Sequence, residues 1–247
     1  MKLSVIIPCK NEAGTVEHLL DSLILQTHPA DEIIIVDSFS TDTTVAVAKD
    51  YQQKLPLKII ASTKRGVTPA RNLGADTATG ELLLFIDADV KLPPNFIASL
   101  QLAVNKRHLE VGGFSQRMEA RSFGLRFGSH LMNGYVRTMA LTPWPIFFSC
   151  FFITKAFHTR IGGFDPELWI MEDYDYAYRA RKTGATFGII RGTYFIASSR
   201  RFEEGEGHSI LRAIYAEIYR YTHGMRITKP LYRYNMGGHT NTKDQNE

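Results

Sequence analysis

Asp87 and Asp89 stand two residues apart at the end of an apolar run, Leu82, Leu83, Leu84, Phe85 and Ile86. In an extended stretch, residues two apart project to one side, so both carboxylates can face a single ion. Oxygen ligands of this kind suit a hard cation, Mg²⁺ or Mn²⁺, which takes one or two carboxylates and completes its shell with substrate phosphates. The competing reading is a pair of solvated acids closing a strand. Far along the chain, Glu172 and Asp173 open a helical pattern. Acids in a first turn favour the helix dipole, which alone accounts for them. A fixed carboxylate there can also take the proton from an attacking hydroxyl, while a metal on the opposite side stabilises charge on a departing diphosphate. An acid pair for metal and one separate base make a minimal set for that displacement.

Three further groups could contribute. Asp37, Ser38, Ser40, Thr41 and Asp42 follow an apolar run and can hydrogen-bond a base or ribose, although the same residues are ordinary turn and N-cap formers. Arg71 lies on a predicted helix where a guanidinium can reach a base carbonyl or phosphate, or simply face solvent. His208 sits in a Gly-containing loop after Arg200 and Arg201, with Glu203, Glu204 and Glu206 between. It can complete a metal site, and the arginines can neutralise diphosphate; a solvated loop histidine is the alternative.

The elements that must position these residues alternate. Apolar β-rich runs at 3–8, 32–37, 57–61 and 82–87 are separated by helical patterns, including Val16, Leu19, Leu20, Leu23 and Ile24, then Val45, Val47 and Ala48. Alternation of this kind predicts parallel strands joined by crossover helices. Thr68 before Pro69 reads as an N-cap with a first-turn proline, opening the helix that carries Arg71. A helix is predicted over 94–104. Beyond residue 110 the pattern is less regular: a strand near 111–115, an aromatic and basic stretch over 123–144 read as a variable binding surface, a buried strand over 147–154, a turn at Gly162 and Gly163, a helix over 173–183 ended by Gly184, two strands within 186–198, and a helix over 209–222. In an open parallel sheet ligands bind beyond the carboxyl ends of the strands, so the groups at 8–12, 37–42 and 87–89 should converge there.

At 247 residues the chain predicts one α/β domain, doubly wound, with a mostly parallel central sheet flanked by helices. Its halves divide at about 105/106, and residues 223–247 form an extension with a loose tail. A hydrophobic share of 44% marks a folded protein, and a net charge of +4 favours anionic ligands such as nucleotide phosphates, without demanding nucleic acid. Two cysteines, Cys9 and Cys150, build neither a disulfide framework nor a cysteine zinc site, which fits a reducing, cytoplasmic setting. No export signal is read at the N-terminus, and no apolar run approaches the roughly 20 residues needed to span a bilayer. Membrane contact is therefore expected to be peripheral, at the inner face. The stretch 212–233, where Arg212, Arg220, Arg226, Lys229 and Arg233 interleave with tyrosines and aliphatics, suits a lipid interface.

These residues resemble the inverting family 2 glycosyltransferases with the GT-A fold. SVIIPCKNE from Ser4, VDSFSTDTT from Val36, TPARNLGADTATGELLLFIDADV from Thr68, and GGFD from Gly162 followed by EDYDYAYRARKTG match its pattern in order. The resemblance implies that Pro8, Glu12 and Asp37, with Ser38, surround the base and ribose. It also implies that Arg71 and Asp87 approach the nucleotide, that Asp89 with Asp87 holds the metal, and that Asp173 is the base, with Glu172 at the acceptor or diphosphate. The donor would be a nucleotide-diphosphate sugar and the acceptor a hydroxyl, with a lipid-linked acceptor among the candidates, in glycan, cell-envelope or glycolipid synthesis. Many members carry a second acid where this chain has Ser38, so the donor base is left open. The Gln-x-x-Arg-Trp motif and transmembrane helices of processive members are not seen, which implies single addition, although Arg200, Arg201 and Phe202 occupy a place comparable to that motif. The rival from another class is a non-catalytic nucleotide-binding or peripheral membrane module on the same fold. A pyrophosphorylase or a dehydrogenase would need a Gly-rich phosphate loop after the first strand, which is missing.

Overall fold

Four apolar runs form four neighbouring parallel strands, β1 (Leu3–Cys9), β2 (Glu32–Asp37), β3 (Leu57–Ala61) and β4 (Leu82–Ile86). The helices α1 (Ala13–Ile24), α2 (Thr44–Lys49) and α3 (Val67–Thr77) cross between them. After β4 come a short β5 (Val90–Lys91) and α4 (Phe96–Arg107). The second half adds β6 (Val111–Glu119), α5 (Phe123–Met139), β7 (Cys150–Thr154), α6 (Lys155–Arg160), α7 (Glu172–Lys182) and β8 (Phe187–Ser198). This computed structural model describes residues 1–119, 123–168 and 170–198, with residues 215, 217–219, 222, 224, 227 and 228.

The strands form one sheet in the order β3-β2-β1-β4-β7-β6-β8-β5, so both halves of the chain share it. Four of its seven pairings are parallel. The two-residue period of each strand divides the core between its faces. Leu3, Val5, Ile7, Ile33, Ile35, Leu82, Leu84 and Ile86 pack with Val16, Leu19, Leu20 and Leu23 of α1 and Phe96, Ile97 and Leu100 of α4. Ile6, Ile34, Val36, Leu83 and Phe85 face the other way, onto Ala70 and Ala75 of α3, Phe157 of α6 and Tyr176, Ala177 and Ala180 of α7. Each of these large side chains contributes about 1.5–3 kcal/mol when fully buried, which is what fixes the register. Gly74 lets α3 lie close on β1: a Cβ there would come 2.4 Å from Ile6 Cγ2.

Several expectations need correction. Thr68 is not the N-cap of α3: the helix already includes Val67, Gly66 precedes it at φ 122°, and the Thr68 side chain is buried. The expected strand over 147–154 begins only at Cys150, because Ser149 takes a left-handed φ of 30°. The two strands expected within 186–198 are the single strand β8, whose pairing to β6 jumps from Phe114–Ile190 to Ser115–Tyr194, a bulge that interrupts the apolar run. The helix expected over 94–104 runs from Phe96 to Arg107, and the one expected from 173 starts at Glu172. The stretch 123–144 read as irregular is mostly the 17-residue helix α5. Most of the predicted helix over 209–222 lies outside the described residues, where 215, 217–219 and 222 are helical. Ile227, within the stretch expected as an extension, is buried against Ile170.

Candidate active site

At the carboxyl edge of the sheet the turns after β1 and β2 are stitched together. Asn11 takes a left-handed φ of 53°. Its amide donates to Ser40 Oγ at 2.9 Å, and its Oδ1 accepts from the Thr41 amide at 2.8 Å. Glu12 N donates to Thr44 Oγ1 at 2.8 Å. Asp42 serves two helices at once: Oδ2 accepts from Ala13 N at 3.1 Å and Oδ1 from Thr44 N at 2.9 Å, the first amides of α1 and α2. Partial desolvation would raise its carboxyl, but the Thr44 hydroxyl and the two amides outweigh that and hold it below its ordinary value. The capping reading of this segment therefore describes Asp42.

The residues expected at the nucleotide lie along this edge. Pro8 pairs opposite Val36, Glu12 is buried with Oε2 accepting from the Thr15 hydroxyl at 2.6 Å, and half-buried Asp37 accepts from Ser40 N at 3.3 Å. Ser38 is buried, and its hydroxyl accepts from Gly66 N at 3.3 Å, tying the end of β2 to the start of α3. Asp87 and Asp89 are half-buried on either side of buried Ala88. They lie in a turn, with Val90 N donating to Asp87 O at 3.3 Å, rather than in extended chain as expected. The Asp87 amide donates to Ser149 O at 2.8 Å, which locks the turn to the start of β7.

Arg71 joins the two halves of the site. Its side chain is only 4% exposed; Nη2 donates to Asp87 Oδ1 at 2.9 Å and Nη1 to Glu172 Oε1 at 3.0 Å. The guanidinium lies over the rings of Phe151 and Phe164, 5.4 and 5.5 Å from their centroids, and both carboxylates raise its already high pKa despite burial. Neither Nη atom thus faces open solvent, and the arginine brings together an acid at the tip of β4 and one at the head of α7. Beside it, burial, neighbouring Glu172 and, to a smaller extent, Asp87 push the Asp173 carboxyl up to about 8 against the pull of Arg71. Asp173 is half-buried.

Two devices hold α7 here that no signal in the sequence marks. Asn72, next to Arg71, grips the backbone of Phe164 twice, Nδ2 donating to the carbonyl and Oδ1 accepting from the amide, both at 2.8 Å. Arg179 Nη1 donates to the carbonyls of Ile161 and Gly163 at 2.6 and 2.8 Å. Met171, just before the acids, takes φ 62° and ψ 30°, a left-handed conformation uncommon for a side chain of its size. Below them His158 Nδ1 lies 2.5 Å from the Tyr176 hydroxyl in a buried aromatic cluster, and burial pushes the histidine down to about 4, so it is neutral. His208, Arg200 and Arg201 lie outside the described residues.

Among the described residues no group of three or more His, Cys, Asp or Glu side chains is placed to hold a metal ion by itself. Two carboxylates with substrate phosphates are nonetheless the usual protein share of a Mg²⁺ or Mn²⁺ shell. Asp87, one-third exposed and held by Arg71 through Oδ1, retains Oδ2 for such an ion.

A doubly wound sheet with acids at the ends of β2 and β4 and a further acid pair heading α7 is the arrangement of the GT-A class of nucleotide-sugar enzymes. Residues 4–155 match the glycosyl transferase family 2, and the chain belongs to that family. It is 38% identical over 111 residues to the uncharacterized glycosyltransferase YibD of Escherichia coli, covering 44% of this chain and 32% of that protein. It is 26% identical over 246 residues to the validoxylamine A glucosyltransferase of Streptomyces hygroscopicus subsp. jinggangensis, covering 85% and 58%. The chain thus spans between about a third and three-fifths of the length of these two relatives. Its fold matches Staphylococcus aureus TarS 1–349, solved with UDP-GlcNAc, at a TM-score of 0.67 and 22% identity over 80% of this chain and 58% of that one. It also matches the mannosyltransferase PcManGT of Pyrobaculum calidifontis, solved with GDP-Man and Mn²⁺, at 0.64 and 23% over 79% and 56%. No described helix is long and apolar enough to cross a membrane.

Proposed function

We propose that this chain transfers a sugar from a nucleotide-diphosphate-sugar donor to an acceptor hydroxyl with inversion at the anomeric carbon, one sugar at a time. The observation that carries the reading is the bridge through Arg71, which gathers Asp87, Glu172 and neighbouring Asp173 at one end of the sheet. The helix dipole accounts for acids at the head of α7, but not for their being drawn beside the acid at the tip of β4. The turns at 8–12 and 37–42 would flank the place for base and ribose, and two structural neighbours are solved with the nucleotide sugars UDP-GlcNAc and GDP-Man.

Asp87 and Asp89 would hold a divalent cation, which stabilises the charge that develops on the diphosphate. Asp173, once it has released to solvent the proton it holds in the unliganded protein, accepts the acceptor's hydroxyl proton as a carboxylate while that oxygen bonds to the anomeric carbon. The bond to the diphosphate oxygen breaks with its electron pair, and the nucleoside diphosphate leaves. Attack opposite the departing group in a single displacement inverts the centre. Glu172, fixed by Arg71, holds the first turn of α7 and so aims its neighbour. Arg200, Arg201 and His208 are assigned to the diphosphate and metal side on their order in the sequence.

Calorimetric titration of a nucleotide-diphosphate sugar with Mn²⁺, alongside a transfer assay, separates these roles. Asp173→Asn should bind donor as well as the wild type yet lose at least about a thousandfold in transfer, the upper range for a lost general base together with the nucleophile it activates. Asp89→Ala should weaken donor binding only when Mn²⁺ is present. Normal turnover by the first variant would remove Asp173 from the mechanism, and unchanged affinity in the second would remove the metal assignment.

A further inference from the structure

Between Glu119 and Asp165 the sequence contains no aspartate or glutamate. Much of this stretch folds into α5 and the turn that follows it, on the surface. One side of α5 belongs to the core: Val136 and Met139 pack with Ile146 and Ile189, and Ser129 is buried with its hydroxyl donating to Gln116 O. The opposite side of a surface helix is ordinarily polar. Here it presents Phe127 at 53% and Leu131 at 61% exposure, and the turn adds Leu141 at 83% and Trp144 at 45%. A helical segment that Glu217 joins to α5 through the Tyr135 hydroxyl also carries exposed Tyr215 and Ile218.

Apart from Glu217, which Tyr135 holds, the charges named around these tips are positive. Arg126 and Arg137 lie along α5. Arg181 and Lys182 line an open cleft of about 410 Å³ together with Leu141, Thr142, Pro143 and Tyr178. Arg181 Nη2 donates to Ala140 O at 3.0 Å, so that cation is fixed against the apolar turn. Basic residues beside exposed leucine, phenylalanine and tryptophan are the composition of a helix that lies in a membrane interface, where the apolar tips enter the acyl boundary and the cations meet lipid phosphates. A second copy of the chain would set the same cations against each other, which disfavours self-association through this face.

We propose that α5 and the turn at 140–144 are the surface on which this protein docks to an anionic lipid bilayer. The inner side of α5 shares a cluster with Tyr174, the residue after Asp173, and Phe148 lies 6.1 Å from the Tyr174 ring. A bilayer seated on the outer side of α5 therefore lies about one helix diameter, roughly 10 Å, from the residue next to the proposed base, within reach of a lipid-linked acceptor that extends past the helix. Only that last step rests on the transfer reading; the docking does not.

Co-sedimentation of the full chain, without donor or metal, tests this on two vesicle types: phosphatidylcholine alone, and phosphatidylcholine with about 30% phosphatidylglycerol. The wild type should pellet with the anionic vesicles, and less so as salt rises. Leu131→Ser combined with Leu141→Ser should weaken this partitioning at least about tenfold. The melting temperature and the donor-induced thermal shift of that variant should stay at wild-type values, since both side chains are exposed and outside the site. A wild type that remains in the supernatant with anionic vesicles would overturn the proposal, as would a double variant that pellets equally well. Light scattering that shows a wild-type dimer dissolved by the same substitutions would reassign the face to self-association. Each of these failures leaves the transfer reading standing, because none involves donor chemistry.

Discussion

Arg71 is buried among carboxylates, and that sets the character of its neighbours. It contributes one positive charge to Asp87, Glu172 and Asp173, so one acid of the group is left weakly compensated, and the half-buried Asp173 takes that role. Its folded pKa of about 8 lies above the ordinary 3.8, so in the unliganded protein it binds a proton that the unfolded chain has released at neutral pH. A raised carboxyl of this sort contributes stability fully below about pH 4 and loses it as pH rises through the folded pKa. Asp173→Asn, which cannot ionise, should therefore gain on the wild type in urea melts as pH rises from 5 to 9, by at most about 4 kcal/mol at the alkaline end and by less to the extent that solvent screens the half-buried carboxyl. A gap that stays constant with pH would mean that Asp173 ionises normally and is poorly matched to act as a base near neutrality. A gap that widens toward pH 9 would mark the residue as costly to stability there and, with the transfer assay, as needed for activity, the usual signature of a reacting group.

The elements show which features a sequence discloses. β1, β2, β3 and β4 are legible because each is a short run of β-branched or large apolar residues between turn formers, and their order puts the polar groups of 8–12, 37–42 and 87–89 on one edge. α5 is less legible, since Gly124, Gly128 and Gly134 dilute its helical signal and its exposed side is apolar too. β8 reads as two strands because the bulge around Arg191 and Gly192 interrupts its pattern. The contacts of Arg71 with Glu172 and of Asn72 with Phe164 span 101 and 92 residues and have no local trace. Asp42 lies between these cases: its type and position announce a cap, but not that it caps two helices. Asp42→Ala leaves the first amides of α1 and α2 to water and should cost about 1 kcal/mol in urea unfolding, more than an average exposed substitution. Because hydrogen bonds hold this carboxyl below its ordinary value, its contribution is present above about pH 4 and lost as pH falls through the folded pKa. The gap between variant and wild type should narrow in acid; a gap that widened there would contradict the capping role.

Across the whole molecule, the first half of the chain supplies the edge that would hold the donor and the second half supplies α7, and a single sheet through β4 and β7 joins them. The joint is polar where it meets the site, because Asp87 is tied to Ser149 by backbone and to Glu172 through Arg71. A ligand spanning base, diphosphate and sugar would contact both halves and bind only the folded chain, so its affinity adds directly to stability. A nucleotide-diphosphate sugar with Mn²⁺ at about a hundred times its Kd should add about 2.7 kcal/mol, a rise in Tm of roughly 5–10 °C for a chain of this size. Chelating the metal with EDTA should remove most of that rise, because the carboxylates of Asp87 and Asp89 then repel the diphosphate they would otherwise bind through the cation. A rise that survives chelation would place donor binding on the 8–12 and 37–42 turns alone and leave the acids at the tip of β4 without a metal to hold.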